Sequence, residues 1–359
     1  MKKLRAELPI LLAIIAGGAG FALEHSALDS GGGLLWGLFA VILGVIIGVA
    51  FRIAHHAEVL AIRLGEPYGT LILTMAAVSV EVVILVVMMG GDQPSPTLAR
   101  DTVFAAVMLD INGILGVTAI VGGLQHGIQK YNLSSANAYI AMLLVALGIG
   151  MFIPDFVPDA KWEIYSLFSV AIMVMLYIAF LRLQTVEHRQ FFEYGADLEH
   201  EAHDHARSPN WLHAAIIIGA IVLVGVLSEL LSVLLDAGLA GTGLPKSLPA
   251  VMVALISASP ELFTALAAAR NNRMQTTMNI ALGASLATVL LTLPVIEAIA
   301  LFNGERVTMA LTPMQAGMLL LTLLAAMNNL HDGESNAIEG ISHLALFLAF
   351  VALVWTGLV

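Results

Sequence analysis

Along this chain apolar residues run on for about 17 to 25 positions at a time, the length that a bilayer core demands of a helix. Eleven such runs stand out: Leu8 to Leu23, Leu34 to Phe51, Tyr68 to Met89, Thr102 to Leu124, Ala136 to Ile153, Trp162 to Leu181, Trp211 to Leu235, Leu248 to Ala269, Thr276 to Phe302, Leu311 to Met327 and Ile338 to Val359. The pattern predicts an all-α polytopic membrane protein of about 11 transmembrane helices. One long polar segment interrupts it, QTVEHRQFFEYGADLEHEAHDHARSPN, from Gln184 to Asn210. Residues 34–182 before it and 211–359 after it are 149 residues each and hold five runs apiece. An odd number of spans starts the second block on the opposite membrane face from the first, so the expected plan is an inverted repeat. It reads as 1–33, an N-terminal helix and external loop; 34–182, the first five-helix repeat; 183–210, an acidic His-rich cytoplasmic loop; and 211–359, the second repeat.

The repeats share little identity, but they agree around two acids. With VSVEVVI (Val78 to Ile84) set against ASPELFT (Ala258 to Thr264), Glu81 falls on Glu261, each in the second run of its block. The next runs align through Gly113 with Gly283 and Thr118 with Thr288. A charged side chain at bilayer depth costs a few kcal/mol on insertion scales, and such residues mark ion or proton pathways.

Composition narrows the class further. Of 359 residues 59% are hydrophobic and 11% charged, with a mean hydropathy of +0.92, which excludes an ordinary soluble domain. An orientation with the N-terminus inside and the C-terminus outside, in a cell (inner) membrane, places eleven of the fifteen basic residues on the cytoplasmic side. MKKLRAELPILLAIIAGGAGFAL has the look of a signal peptide and is read as an uncleaved first helix, which supplies the odd span. The net charge of -11 excludes a nucleic-acid partner, and the lack of Cys excludes disulfides and thiolate chemistry. The lipid bilayer is the implied surrounding, and no cofactor is called for.

Two carboxylates on opposed helices suit a hard cation, since Ca²⁺ takes about 6 to 8 oxygen ligands. Further oxygens are at hand. Pro260 has no N–H for the carbonyl of Ile256, so a helix break is expected there and that carbonyl is a candidate ligand. Ser257 and Ser259 add hydroxyls beside Glu261. In the first block Thr70, Thr74, Ala77 and Glu81 form one narrow stripe, matched by Ala250, Ala254, Ser257 and Glu261 in the second, so each acid should face protein. Such a stripe serves close helix packing as readily as binding. Two like charges in a dry site cannot both stay ionised without a cation, so cation and proton compete for it, and competition with alternating access is antiport.

At these residues the chain resembles a known family. HAEVLAIRLGEPYGTLILTMAAVSVEVV (His56 to Val83) and SPELFTALAAARNNRMQTTMNIALGASLATVLLTLPV (Ser259 to Val295) are similar to the two signature repeats of calcium/proton exchangers in the cation/calcium exchanger superfamily. HDGESNAIEG (His331 to Gly340) and RDTVFAAVM (Arg100 to Met108) match as well, most closely the bacterial Cha type, which exchanges Ca²⁺, Na⁺ or K⁺ for H⁺. The resemblance covers effectively the whole chain. It implies that Glu81 and Glu261 bind cation and proton, and that Ser228 and Glu229 correspond to a Ser-Glu pair preceding the second signature. The chain departs from the usual Gly-Asn-Ala before each acid, having Ala77, Val78, Ser79 and Ser257, Ala258, Ser259, and Leu262 stands where a His usually follows.

Other residues invite separate readings. Asp110, with Asn112 beside it in VMLDINGILG, lines the permeation path or is a satisfied helix-interior residue. HEAHDH (His200 to His205) binds Zn²⁺, senses pH or is a solvated loop, and its spacing is not the protease H-E-x-x-H. Arg270 and Arg273 anchor a cytoplasmic helix end, and His343 reads as a packed residue. An intramembrane hydrolase would need a nucleophile or metal motif that this sequence lacks, so no enzyme is expected. A passive cation channel remains the alternative to exchange, although channels usually repeat a pore element by oligomer symmetry.

Overall fold

A computed structural model describes residues 7–65, 68–91, 95–192, 209–240, 242, 245 and 247–359. Among them eleven long helices follow one another: α1 (Leu8–Ser30), α2 (Gly32–Leu64), α3 (Tyr68–Met89), α4 (Leu98–His126), α5 (Leu133–Phe156), α6 (Asp159–Glu187), α7 (Asn210–Leu239), α8 (Leu248–Arg270), α9 (Met274–Asn303), α10 (Pro313–Asn329) and α11 (Ala337–Trp355). Ten of them are long and apolar enough to cross a membrane; α10 runs 17 residues. Each predicted run lies on one of these helices, and the chain is an all-α membrane protein.

The connections differ from expectation in two places. The external loop expected before residue 34 is nearly absent. α1 continues through Glu24, His25 and Asp29 to Ser30, and only Gly31 and Gly32, at φ +58° and +55°, turn the chain into α2. No residue between Leu23 and Gly31 is a helix breaker, so the helix outruns its apolar stretch. The polar loop also begins later than residue 183, because Leu183–Glu187 prolongs α6 as a π-helical turn. Arg189–Phe192 adds a short helical turn whose Phe192 packs between Tyr139 and Phe180, with ring centroids 5.4 and 5.7 Å away. The His200 to His205 tract lies outside the described residues.

Among the described residues four helices carry π-helical turns, at Met108–Ile114 in α4, Gly148–Phe152 in α5, Leu183–Glu187 in α6 and Thr288–Thr292 in α9. The repeat is visible in this register. α3 and α8 begin 180 residues apart, as do α5 and α10 and the π turns of α4 and α9, and this is also the separation of Glu81 and Glu261. Gly113 and Gly283 are 170 residues apart; Gly113 lies within its π turn and Gly283 before the other, so that pairing is corrected.

The chain forms two compact units, and the boundaries 34–182 and 211–359 are not theirs. One unit comprises Met1–Leu98 and Glu201–Pro260, the other Ala99–His200 and Glu261–Val359. Each draws helices from both halves of the sequence.

In the first unit α2 packs along α7 and against α1 and α3, and α3 also meets α7. Glycines permit the approach: a Cβ on Gly225 of α7 would lie 2.9 Å from Val83 of α3. A polar cluster fastens the start of α1 to this core. Glu7 accepts a 2.6 Å bond from Arg52 Nη2, and the ring of His56 meets Glu7 through Nε2 at 3.2 Å and His213 through Nδ1 at 2.7 Å. Two facing Nδ1 atoms at that distance require one imidazole to donate and the other to accept. Burial works to raise the Glu7 carboxyl, but bonds and charge from Arg52 and His56 outweigh it and hold the group below the ordinary carboxylate range.

In the second unit α4 is surrounded; residues Asp101 to Gly116 are all buried. It crosses α11 at glycines. A Cβ on Gly116 would stand 2.8 Å from the Leu344 nitrogen, and one on Gly340 would stand 2.6 Å from the Ile120 nitrogen and 2.7 Å from the Gly116 oxygen. Such backbone contact is the membrane form of close helix packing. It also accounts for HDGESNAIEG. Gly333 turns at φ +76°, Glu334–Ser335 pairs antiparallel with Gln129–Lys130, Asn336 and Glu339 form the capping box of α11, and Gly340 makes the crossing. RDTVFAAVM is structural in the same way, since Asp101 accepts bonds from Arg100 at 2.8 Å and from Gln315 Nε2 of α10 at 2.7 Å. Because backbone cannot yield as a side-chain tip can, Gly340→Ala should destabilise the protein by about 1 to 3 kcal/mol. A lowered midpoint of thermal unfolding in detergent checks this, and Gly44→Ala on α2, where a Cβ meets nothing within 4 Å, is the control expected to leave it unchanged.

Candidate functional site

Glu81 sits on the inner face of α3, among the buried side chains Val78, Val80, Ile84 and Leu85, and is only 2% exposed. The helix places it there because positions four, seven and eleven residues earlier, Ala77, Thr74 and Thr70, share its face. Thr74 Oγ1 donates to the Thr70 carbonyl at 2.9 Å. Ser79, on another face, is half-buried. Across the same unit, Ser228 of α7 is wholly buried and donates to the Val224 carbonyl at 2.7 Å, whereas Glu229 is exposed. Of the Ser-Glu pair, therefore, only the serine is inside.

Glu261 follows Pro260 on α8 and is half-buried. α8 runs unbroken from Leu248 to Arg270 with Pro260 inside it, so the expected helix break is corrected. What proline removes is one donor, the N–H that the Ile256 carbonyl would otherwise accept from; the rest of the ladder carries the helix through, as membrane helices often allow. Ser257 Oγ donates to the Ala254 carbonyl at 3.1 Å and Ser259 Oγ to the Leu255 carbonyl. A hydroxyl that gives its proton to its own helix keeps its lone pairs for other use. Thr74, Ser228, Ser257 and Ser259 all have this polarity, which suits a cation ligand and not an anion ligand. Glu81 belongs to the first unit and Glu261 to the second.

Asp110 and Asn112 lie together in the π turn of α4 and are both buried. Two residues apart, they would point to opposite sides of a regular helix; here each finds a partner. Asp110 Oδ2 accepts from Ser285 Oγ of α9 at 3.1 Å. Asn112 Nδ2 donates to Thr322 Oγ1 of α10 at 2.7 Å, and its Oδ1 lies 3.0 Å from His343 Nδ1 of α11. Four helices thus meet in one buried polar patch, the kind of insertion for which π turns are often retained. His343 is more than a packed residue.

Several of these groups escape sequence reasoning. Thr322 and Glu297, a membrane acid on α9 that is 5% exposed, carry no motif, and Ser285, though inside the second signature stretch, is not marked out within it. The signal that could have flagged Glu297 is the one used for Glu81, an acid inside an apolar run. The pairing of His56 with His213 joins residues 157 apart and has no local signature. No group of three His, Asp or Glu side chains that could hold a metal is present among the described residues.

Comparison with known proteins agrees with this architecture. The profile of the family described as sodium/calcium exchanger protein matches residues 34–186 and 212–356. The protein y4hA of Sinorhizobium fredii is 35% identical over 316 residues, 86% of each chain. The sodium-potassium/proton antiporter ChaA of Escherichia coli is 32% identical over 338 residues, covering 89% of this chain and 92% of its own. The solved structure of native YfkE, 21% identical, superposes with a TM-score of 0.74 over 96% of this chain and 100% of that one, a likeness of fold. On the profile match and these identities, the chain belongs to the sodium/calcium exchanger family.

Proposed function

We propose that the protein is a secondary transporter that exchanges a cation for protons by alternating access, with Glu81 and Glu261 binding cation and proton in competition. The observation that carries this is a single carboxylate at the same register in each of two repeat-related helices, 180 residues apart, one 2% exposed and the other half-buried. Family membership supports the reading, as does the activity named for the Escherichia coli relative. Two carboxylates balance one Ca²⁺, or one Na⁺ or K⁺ with a proton retained, so Ca²⁺ is the first candidate and the monovalent ions follow. Oxygens at Thr74, Ser257 and Ile256 are the accessory ligands, whereas Ser79 and Ser259, two residues before each acid, fall on another face of their helices. The chain acts as a transporter and not an enzyme. A passive channel is the rival, and it would move cations without protons.

In membrane vesicles, Glu81→Gln and Glu261→Gln should each abolish cation-driven dissipation of a pH gradient, because Gln keeps the shape and loses both charge and proton. The double substitution should add little to either single one. Exchange near the wild-type rate in either variant, or independent additive losses, would defeat the paired-acid mechanism. Cation movement with no proton movement in the unaltered protein would favour the channel.

Asp110 places a carboxyl in the patch between α4 and α9, and we assign it to ion choice. Asp110→Asn should shift the preference between Ca²⁺ and the monovalent ions, read as the ratio of apparent affinities in the same vesicles. An unaltered ratio would leave Asp110 a structural residue.

The orientation proposed is N-terminus cytoplasmic and Val359 outside, in the cell membrane. A reporter active only outside the cytoplasm, fused after Val359, should be active. A cytoplasmic signal from that position would invert the topology.

A further inference from the structure

Near the C-terminal end of α9 the second unit borders a half-open cavity of about 300 Å³. Its walls come from the turn after α5, the start of α6, the end of α9 and the non-helical chain Arg306–Ala310. Glu297 lines it, 5% exposed; the Ser169 hydroxyl is the donor nearest its carboxyl, and its Oε2 meets no hydrogen-bond donor in good geometry among the described residues. A buried carboxylate oxygen without a donor is costly unless a cation or proton uses it. Nothing in the exchange mechanism above employs this acid.

The surroundings favour a cation. Asp155 lines the same cavity, with Ser166 and Thr308 hydroxyls. Arg306 also lines it, but its guanidinium is bonded to the Asp159 carboxylate, which offsets its charge, and Arg100, which donates to the Ala310 carbonyl at 3.3 Å, is paired with Asp101. The chain Arg306–Ala310 is outside any helix, so its carbonyls are not committed to a helical ladder, and of them Ala310 accepts from Arg100. Because no three acidic or imidazole side chains converge among the described residues, an ion here would keep much of its water.

We propose that the Glu297 cavity is a second cation site, binding a partly hydrated, calcium-class cation through one buried carboxylate, with Asp155 at the rim. In the proposed orientation it faces outside, and it would gather cations near the membrane surface. That use rests on the exchange reading, whereas the binding itself does not. An affinity in the range of roughly 10⁻⁴ to 10⁻³ M, typical of extracellular calcium modules, fits so few protein ligands.

Trp162 lines the cavity and supplies a direct readout, since an indole excites luminescence from Tb³⁺ held close to it. Titration of the full-length protein in detergent with Tb³⁺ should give emission that Ca²⁺ displaces. Trp162→Phe and Glu297→Gln should each lose that emission, and Asp155→Asn, at the cavity rim, should weaken it without disturbing the fold. A double Glu81→Gln, Glu261→Gln protein should retain it, which separates this proposal from the exchange mechanism. Emission undiminished in both Glu297→Gln and Asp155→Asn, or emission that vanishes in the double variant, would overturn the site. If Glu297→Gln does not give a monodisperse protein, the Asp155→Asn titration alone decides.

Discussion

The bilayer offers the backbone no water, so every N–H and C=O at membrane depth must find its partner within the protein. Most of this structure follows from that constraint. It makes each apolar run a helix, and it lets α8 pass through Pro260 with only one carbonyl released. Departures from regular geometry occur both where protein surrounds the chain, as in α4, and at an exposed helix end, as at Leu183–Glu187 of α6. The π turn of α4 lies in the most enclosed helix, and its extra backbone freedom is taken up by Asp110 and Asn112 reaching Ser285, Thr322 and His343. Where lipid faces a helix, as along much of α1 and α6, the turns before the polar end are regular.

The same constraint explains why acids are few and where they stand. A carboxylate inside is retained only with partners or with work to do. Glu81 and Glu261 stand 180 residues apart, each the single acid of its helix. Hydroxyls near them donate to their own helices and present lone pairs, a polarity set by helix geometry. Asp101, by contrast, is held by Arg100 and Gln315 and serves to join α4 to α10. Acids in apolar runs are therefore not equivalent, and the partners sort them.

Much of the fold was legible in the sequence because hydropathy over about 20 residues is a strong signal. α3 begins and ends where its apolar run does, at Tyr68 and Met89. The equal blocks and the Glu81 and Glu261 correspondence could also be read, since a shared register survives when identity does not. The π turns could not, because a single inserted residue per turn leaves no mark on an apolar pattern. The pairing of Gly113 with Gly283 failed for that reason: identity of two small residues outweighed a register the sequence did not display. Unit membership was hidden too, since it depends on which helices pack, and a chain divided by a polar loop suggests a division that packing does not follow. His56 and His213 meet only through the packing of α2 on α7.

The central claim is that one pair of carboxylates carries cation and proton in turn. Proton release on cation binding tests it without any transport step. Calorimetric titration of the purified protein with Ca²⁺, in buffers of different ionisation enthalpy, reports how many protons leave per ion bound. At a pH where the empty acids hold a proton, the account predicts net release in the unaltered protein and none in a protein carrying both Glu81→Gln and Glu261→Gln. Calcium binding that releases no proton at any pH, or release that persists when both acids are replaced, would contradict it.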